Sequence, residues 1–446
     1  MTRATIIAGG GASGVLFAAA LLRRSKNARV IIVEPREELG RGVAYSTDCS
    51  AHLLNVPAAN MSAFPDKPDD FVQWLKANTP ESADATSFAP RSIYGDYISA
   101  IASREREAAG ARWQHARAFA HEARIDDAGV RVLLSDGATV HGDSLVIATG
   151  NAAPAAWPGT TSGNPGGARF FGSAWEKGAL VPGSANETVL LLGTGLTAVD
   201  AVLGLRRNGH RGTMYMVSRR GLFPHEHRLF DTPPEARPDA TSIRDLIGVV
   251  RGENWRAILD RLRPHANTFW QAQALSDQRQ FMRHLMPYWN VHRHRLSPEA
   301  AKEVAGLIAG GSLRIVAGRT GEVESTPRGL RVSIKLRGET ETLNLEPGRI
   351  INCSGPEHDF RKLPNPLIQS LLAAGVMTPH PLGIGVAVDE NGALIGATSV
   401  PSKRVFAIGP VRYGTLIETT AIPEIRVQAR DLADFLAEDA AMESAS

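Results

Sequence analysis

A β-prone run, a glycine-rich turn, a helix and a second β-prone run occur twice in this chain. That duplicated unit constrains the fold more than any other feature of the 446 residues. The first copy begins with Ala4–Ala8 and turns through Gly9, Gly10, Gly11, Ala12, Ser13 and Gly14. It continues as a helical stretch over Val15–Arg24 and a run over Arg29–Val33 that ends at Glu34. The order strand, G-x-G-x-x-G, helix, strand, acid divides the work of holding a dinucleotide. Gly9 permits the tight turn. Gly11 lets the backbone approach a pyrophosphate, which the free N–H groups at the helix start, at Ala12 and Ser13, attract. Gly14 allows the helix to lie close on the strand, and Glu34 accepts hydrogen bonds from ribose hydroxyls.

The second copy starts with the buried-strand pattern Thr188–Leu192 and turns through Gly193, Thr194, Gly195, Leu196, Thr197 and Ala198. Ala198 stands where the first copy has its third glycine. The helix continues over Val199–Arg207, and the strand Met214–Val217 ends in Ser218, Arg219 and Arg220 rather than in an acid. A hydroxyl beside two guanidiniums suits a 2′-phosphate, so this half is expected to take NADPH rather than NADH.

Around each copy a longer pattern repeats. Alternating segments at Val130–Leu134 and Ala138–Val140 lead into Ser144–Ile147 and a small-residue turn that includes Thr149 and Gly150. In the second half, Leu330–Leu336 and Thr340–Leu345 lead into Arg349–Asn352 and Gly355. The expected fold is α/β, with two Rossmann-type dinucleotide-binding domains. The first occupies 1–158 and returns over 356–446. The second occupies 159–355 and carries a helical insertion over about 228–310, where Arg, His and Trp residues abound without a glycine-rich turn.

Composition narrows the class. Charged residues make up 21% and hydrophobic residues 43%, as in globular proteins. A net charge of +3 gives no reason to expect a nucleic-acid partner. Two cysteines, Cys49 and Cys353, form no C-x-x-C pair, which disfavours a dithiol redox centre. The apolar N-terminal run is interrupted by Gly9–Gly11, and no other segment has spanning length. The expectation is a cytoplasmic protein without a membrane partner; its oligomeric state stays open.

Several further segments carry a family resemblance. They are Gly42–Thr47, His52–Pro57, Phe88–Gly95, Ser218–Gly221, the stretch from Trp289 through His292–Arg295, and Gly414–Arg426. Over essentially its whole length the chain resembles the two-domain flavoproteins, and among them the FAD-NAD(P)-binding proteins of the YdhS-like type. That group is related to class B flavin monooxygenases and amino-acid N-hydroxylases. The resemblance implies FAD in the first domain, a flavin-closing turn at Gly409 and Pro410, and a flavin or NADPH contact at Asn55; the other reading of Asn55 is a turn residue before Pro57. One motif departs from the class B pattern F-x-G-x-x-x-H. Phe170–Glu176 occupies its place, with Glu176 where the pattern has His.

FAD beside NADPH implies hydride transfer, with the cofactor doing the redox chemistry. Three functions follow. The first is a monooxygenase that N-hydroxylates a small amine or amino acid with O2 through a flavin C4a-hydroperoxide. The second is a reductase passing electrons to a partner. The third is a nucleotide-binding protein with little turnover. For an anionic substrate, Arg293 and Arg295 are the candidate carboxylate clamps, since a guanidinium fork binds a carboxylate bidentately; the other reading is a solvated basic face. On a helix, adjacent residues do not share one pocket, so part of the run His292–Arg295 is expected to face water. His292 and His294 lack a third metal ligand at suitable spacing.

Overall fold

The computed structural model describes residues 3–80, 84–157, 169–228, 242–243, 245, 247, 255–326 and 329–445. The boundary expected at 158/159 lies outside these residues.

Strand β1 (Arg3–Ala8) is the centre of the first sheet, with Ile6 and Ile7 both fully buried. A strand covered on both faces needs apolar residues at consecutive positions, and it takes parallel neighbours. Those are β2 (Ala28–Val33) on one side and β7 (Ser144–Ile147) on the other. Beyond β2 lies β3 (Trp113–Ala116). Beyond β7 lies β16 (Pro401–Ala407), with the antiparallel edge strand β15 (Ala393–Ile395) outside it. The order is β15-β16-β7-β1-β2-β3.

One face of this sheet is covered by α1 (Ala12–Arg24), α3 (Arg91–Ala109) and the C-terminal helix Ile422–Ala445, joined by residues of α2 (Asp70–Asn78). The other face is covered by an antiparallel meander of β4 (Ala120–Asp126), β5 (Gly129–Leu134) and β6 (Thr139–Gly142), with the helix Pro366–Ala373 beside it.

The second sheet repeats the plan. Its order is β13-β12-β11-β10-β9-β14-β8, with β9 (Val189–Leu192) between β10 (Met214–Ser218) and β14 (Arg349–Asn352). The short strand β8 (Phe170–Phe171) flanks β14. Helix α4 (Leu196–Arg207) and the helix Pro298–Ala309 cover one face. The other face is covered by residues of β11 (Leu313–Thr326), β12 (Gly329–Leu336) and β13 (Thr342–Leu345).

Strand β11 is the element that the hydrophobic pattern does not announce. Its first half pairs in parallel with β10, and from Gly318 onward it pairs antiparallel with β12. A Cβ at Gly318 would lie 2.8 Å from the Lys335 carbonyl oxygen, so glycine lets the strand change partners there.

The insertion follows β10. Its described part is helical, at Trp255–Leu262, Ala266–Gln271, Leu275–Gln280 and Met286–Arg293, with a π-turn over Phe281–Leu285. The helix Pro298–Ala309 lies inside the expected bounds of 228–310. It is the crossover helix of the second sheet, since it packs on α4 and feeds β11. Among the described residues, no helix is long and apolar enough to cross a membrane.

Candidate dinucleotide sites and their closing elements

The two glycine turns solve one steric problem twice. Gly9 has φ +112°, and a Cβ there would sit 2.4 Å from the carbonyl oxygen of Ala148, at the end of β7. Gly193 has φ +129°, and its Cβ would sit 2.4 Å from the carbonyl oxygen of Cys353, just past β14. In each half the return strand therefore presses on the first glycine. The third position differs. A Cβ at Gly14 would lie 2.0 Å from the Gly9 carbonyl oxygen, so only glycine fits, whereas Ala198 is fully buried with its methyl accommodated.

The middle glycines answer to something other than the protein. At Gly11 the nearest atom to an added Cβ is the Gly42 Cα at 3.4 Å, and at Gly195 nothing lies within 4 Å. Packing does not demand glycine at either place. Gly11 and Gly195 are the N-caps of α1 and α4, both extended and both without a side-chain cap. The first-turn N–H groups at Ala12 and Ser13, and at Leu196 and Thr197, thus start helices whose positive ends no N-cap side chain covers. Gly150 (φ +68°), next to Thr149, likewise has nothing within 4 Å of an added Cβ. These cradles fit a pyrophosphate at each turn.

Glu34 is held in place by the Gly10 N–H (3.0 Å to Oε2) and the Arg36 N–H (3.2 Å to Oε1). A carboxylate has about four acceptor sites, so two remain for ribose hydroxyls. Over the start of α1 lies Gly409 (φ +73°), whose Cβ would come 2.7 Å from the Ser13 hydroxyl. Gly409 and Pro410 are pinned by two buried side chains that the sequence reading did not single out. The Gln428 Oε1 accepts from the Gly409 N–H at 3.0 Å, and the Thr419 hydroxyl donates to the Gly409 carbonyl at 2.6 Å. Gln428 also donates to Thr419 at 3.0 Å.

At the end of β10, Ser218 organises the next turn. Its Oγ accepts from the Gly221 N–H at 3.0 Å and lies 3.0 Å from the Thr194 hydroxyl, which also reaches the Leu222 carbonyl. Arg219 is exposed. The Arg220 guanidinium rests 5.8 Å from the centre of the Tyr288 ring, which the insertion supplies.

Asn55 is half-buried, and its side chain has no partner among the described residues. Its segment is gripped from the second domain. His52 donates from Nε2 to the Asp200 carbonyl on α4 (2.8 Å), and its Nδ1 faces the Thr47 hydroxyl (2.7 Å). The Arg91 Nη2 lies 3.0 Å from the Asp200 carboxylate, and its Nε donates to the Leu53 carbonyl. Sequence reading missed this junction, because partners about 150 and 110 residues apart leave no local pattern.

The run His292–Arg295 differs from expectation. The helix ends at Arg293, and His294 takes a non-helical conformation (φ −96°, ψ 83°), so both arginines turn inward. Arg293 is 7% exposed and pairs bidentately with Glu418, Nε to Oε1 at 2.9 Å and Nη2 to Oε2 at 2.8 Å. Arg295 is 5% exposed and pairs with Asp260. Arg293 is therefore no open clamp for a substrate carboxylate, and neither arginine lies on a solvated face. Its fork ties the insertion to the closing segment, alongside Arg263–Glu424 at 2.6 Å and the Asn267 amide, which bonds the Glu418 carbonyl and N–H at 2.8 and 2.9 Å.

Desolvation holds two rings of this region neutral. It pushes His294 down to about 3, helped by the Arg293 and Arg263 charges, and His227 down to about 4, helped by Arg295. Folded pKa values below the unfolded 6.5 mean that the unfolded chain binds more protons as pH falls through that window. Stability is therefore expected to drop from about pH 6.5 downward, by up to about 1.4 kcal/mol per pH unit for each ring. Urea unfolding between pH 7 and 5 should show a shallower pH slope for His227→Phe/His294→Gln than for wild type. Equal slopes would assign the acid sensitivity elsewhere.

A family model described as FAD-NAD(P)-binding matches residues 6–152. No curated protein matches the chain. Among solved structures it is similar to L-lysine 6-monooxygenase from Pseudomonas syringae, with 16% identity, 99% of this chain and 100% of that one covered, and a TM-score of 0.70. It is similar to the reduced form of ornithine hydroxylase from Pseudomonas aeruginosa, with 16% identity, 98% and 99% covered, and a TM-score of 0.69. A bacillithiol disulfide reductase from Bacillus cereus shares the architecture at 13% identity, 98% and 100% covered, and a TM-score of 0.59. The likeness shows a shared fold over 98–99% of this chain.

Proposed function

We propose that this chain, which an FAD-NAD(P)-binding family model matches over residues 6–152, is an FAD- and NADPH-dependent monooxygenase that N-hydroxylates a small amine or amino acid. The two cradles described above supply both cofactor sites, and the solved structures of similar architecture include an ornithine hydroxylase and an L-lysine 6-monooxygenase. The observation that carries the oxygenase reading over a disulfide-reducing one is the state of the two thiols. Cys353 is buried, its thiol pushed up by desolvation and by Asp200, and Cys49 stands alone on a half-buried turn. A thiol held protonated is a poor nucleophile for disulfide exchange.

When bound, reduced flavin supplies the electron pair that activates dioxygen. The chain's own residues bind and enclose. Glu34 fixes the ribose end of the first nucleotide, and the Thr419–Gln428 pair holds the Gly409 turn over the start of α1. Trp270, Phe281 and Met286 of the insertion pack with Tyr413 and Ile417 of the closing segment, an apolar seam that keeps water out of this side of the fold.

Oxygen uptake by the FAD-loaded protein with NADPH tests the reading. Lysine, ornithine or a diamine should stimulate uptake and yield a hydroxylamine in a colorimetric assay. NADPH oxidation that continues without oxygen in the presence of a protein acceptor, with no hydroxylamine formed, would establish the reductase instead.

A further inference from the structure

We propose that Tyr288 of the insertion is the platform that reads the adenine of the second nucleotide, and that Arg220 rests on its ring until the nucleotide arrives. The inference depends on reading the second glycine turn as a nicotinamide-nucleotide site.

In a βαβ dinucleotide unit the adenosine half lies beyond the end of the second strand, here β10. Arg220 follows that end by two residues, and the ring within reach of its guanidinium is Tyr288. The ring is 42% exposed, although its helix neighbours Met286 and Val291 are buried. Its hydroxyl has no partner among the described residues. Packing therefore gives no reason for an aromatic residue here, while a π-face at the rim of a nucleotide cleft has a ready use. The platform is also fixed: Pro287 lies in the first turn of the helix, and the Tyr288 carbonyl lies 2.8 Å from the His292 Nδ1.

The charge of Arg220 adds to this. Among the described residues it has no carboxylate partner, only the face of Tyr288. A cation on an exposed ring is weakly held. A 2′-phosphate offers the same guanidinium a charge-assisted contact, which is stronger. Binding then exchanges partners: Arg220 leaves the ring for the phosphate, and the ring face it vacates takes the adenine. The insertion reads the base, and the second domain reads the phosphate.

Calorimetric titration of the FAD-loaded protein separates the two contributions, with 2′,5′-ADP, 5′-AMP and nicotinamide mononucleotide as probes. None of these measurements requires turnover, and FAD content reports on folding. Tyr288→Ala should weaken 2′,5′-ADP and 5′-AMP alike by roughly tenfold or more, with nicotinamide mononucleotide unaffected and Tyr288→Phe restoring both. Arg220→Ala should weaken 2′,5′-ADP at least tenfold yet leave 5′-AMP unchanged or tighter, because the ring face is then free. Unchanged affinities in Tyr288→Ala overturn the platform. Equal losses of the two probes in Arg220→Ala overturn the exchange. Wild-type protein that binds none of the three overturns the nucleotide reading of the turn itself, and the platform with it.

Discussion

Replacing Gly11 with Asp should give a folded, colourless protein. The structure separates two kinds of glycine in the same turn, and the separation makes the outcome sharp. Gly14 is required by the fold, because a Cβ would meet the Gly9 carbonyl oxygen at 2.0 Å. Gly14→Ala should therefore damage the apoprotein. Gly11 has room for a side chain, its nearest neighbour being the Gly42 Cα at 3.4 Å. An aspartate there is tolerated by the protein and refused by the ligand. Like charges brought to about 4 Å near a protein surface repel by about 4 kcal/mol, on the order of a thousandfold in affinity. Flavin content after refolding with excess FAD measures it, with circular dichroism as the control for folding. Gly195→Asp is the mirror experiment: the protein stays yellow, and NADPH no longer reduces it. A yellow Gly11→Asp protein would show that the first cradle does not hold the flavin.

Arg293→Ala should cost about 3–5 kcal/mol of stability, the penalty for stranding a buried carboxylate. Glu418 is 3% exposed and loses both of its guanidinium bonds. Its neighbour Thr419 holds the Gly409 carbonyl, so loss of flavin should accompany the loss of stability. Arg293→Met/Glu418→Met removes both charges and should recover most of the deficit, because a buried ion pair contributes little beyond what well-packed apolar groups provide. Urea unfolding of the three proteins decides it. If Arg293→Ala is as stable as wild type and instead raises the KM for substrate, Arg293 serves the substrate rather than the fold.

How much of this was legible in the sequence follows from the range of each interaction. Each strand–turn–helix–strand unit, with Glu34 at the end of the first, lies within about 30 positions, and periodicity records so short a pattern. Ala198 is buried with its methyl accommodated where the first turn admits only Gly14, a difference that no local pattern reports. The inward turn of Arg293 and Arg295 was hidden by an assumption of unbroken helix; the chain leaves the helix at His294, and the rule that adjacent residues diverge ends with it. Gln428 and Thr419 read as ordinary polar residues until the C-terminal helix is docked on α1. Asp200 reads as a solvent-facing helix residue until Arg91 meets it from the other domain.

The first sheet places β16 directly beside β7, although Ile147 and Pro401 are 401 − 147 = 254 positions apart. During synthesis at roughly 5–20 residues per second, the emerging N-terminal sheet waits on the order of ten seconds or more for that strand. Gly409, Thr419 and the C-terminal helix come later still. The whole second sheet, Phe170 to Asn352, is complete by then. On the ribosome the nascent chain thus completes its second sheet before its first can close, and the Gly409 turn with the C-terminal helix is the last part laid over α1.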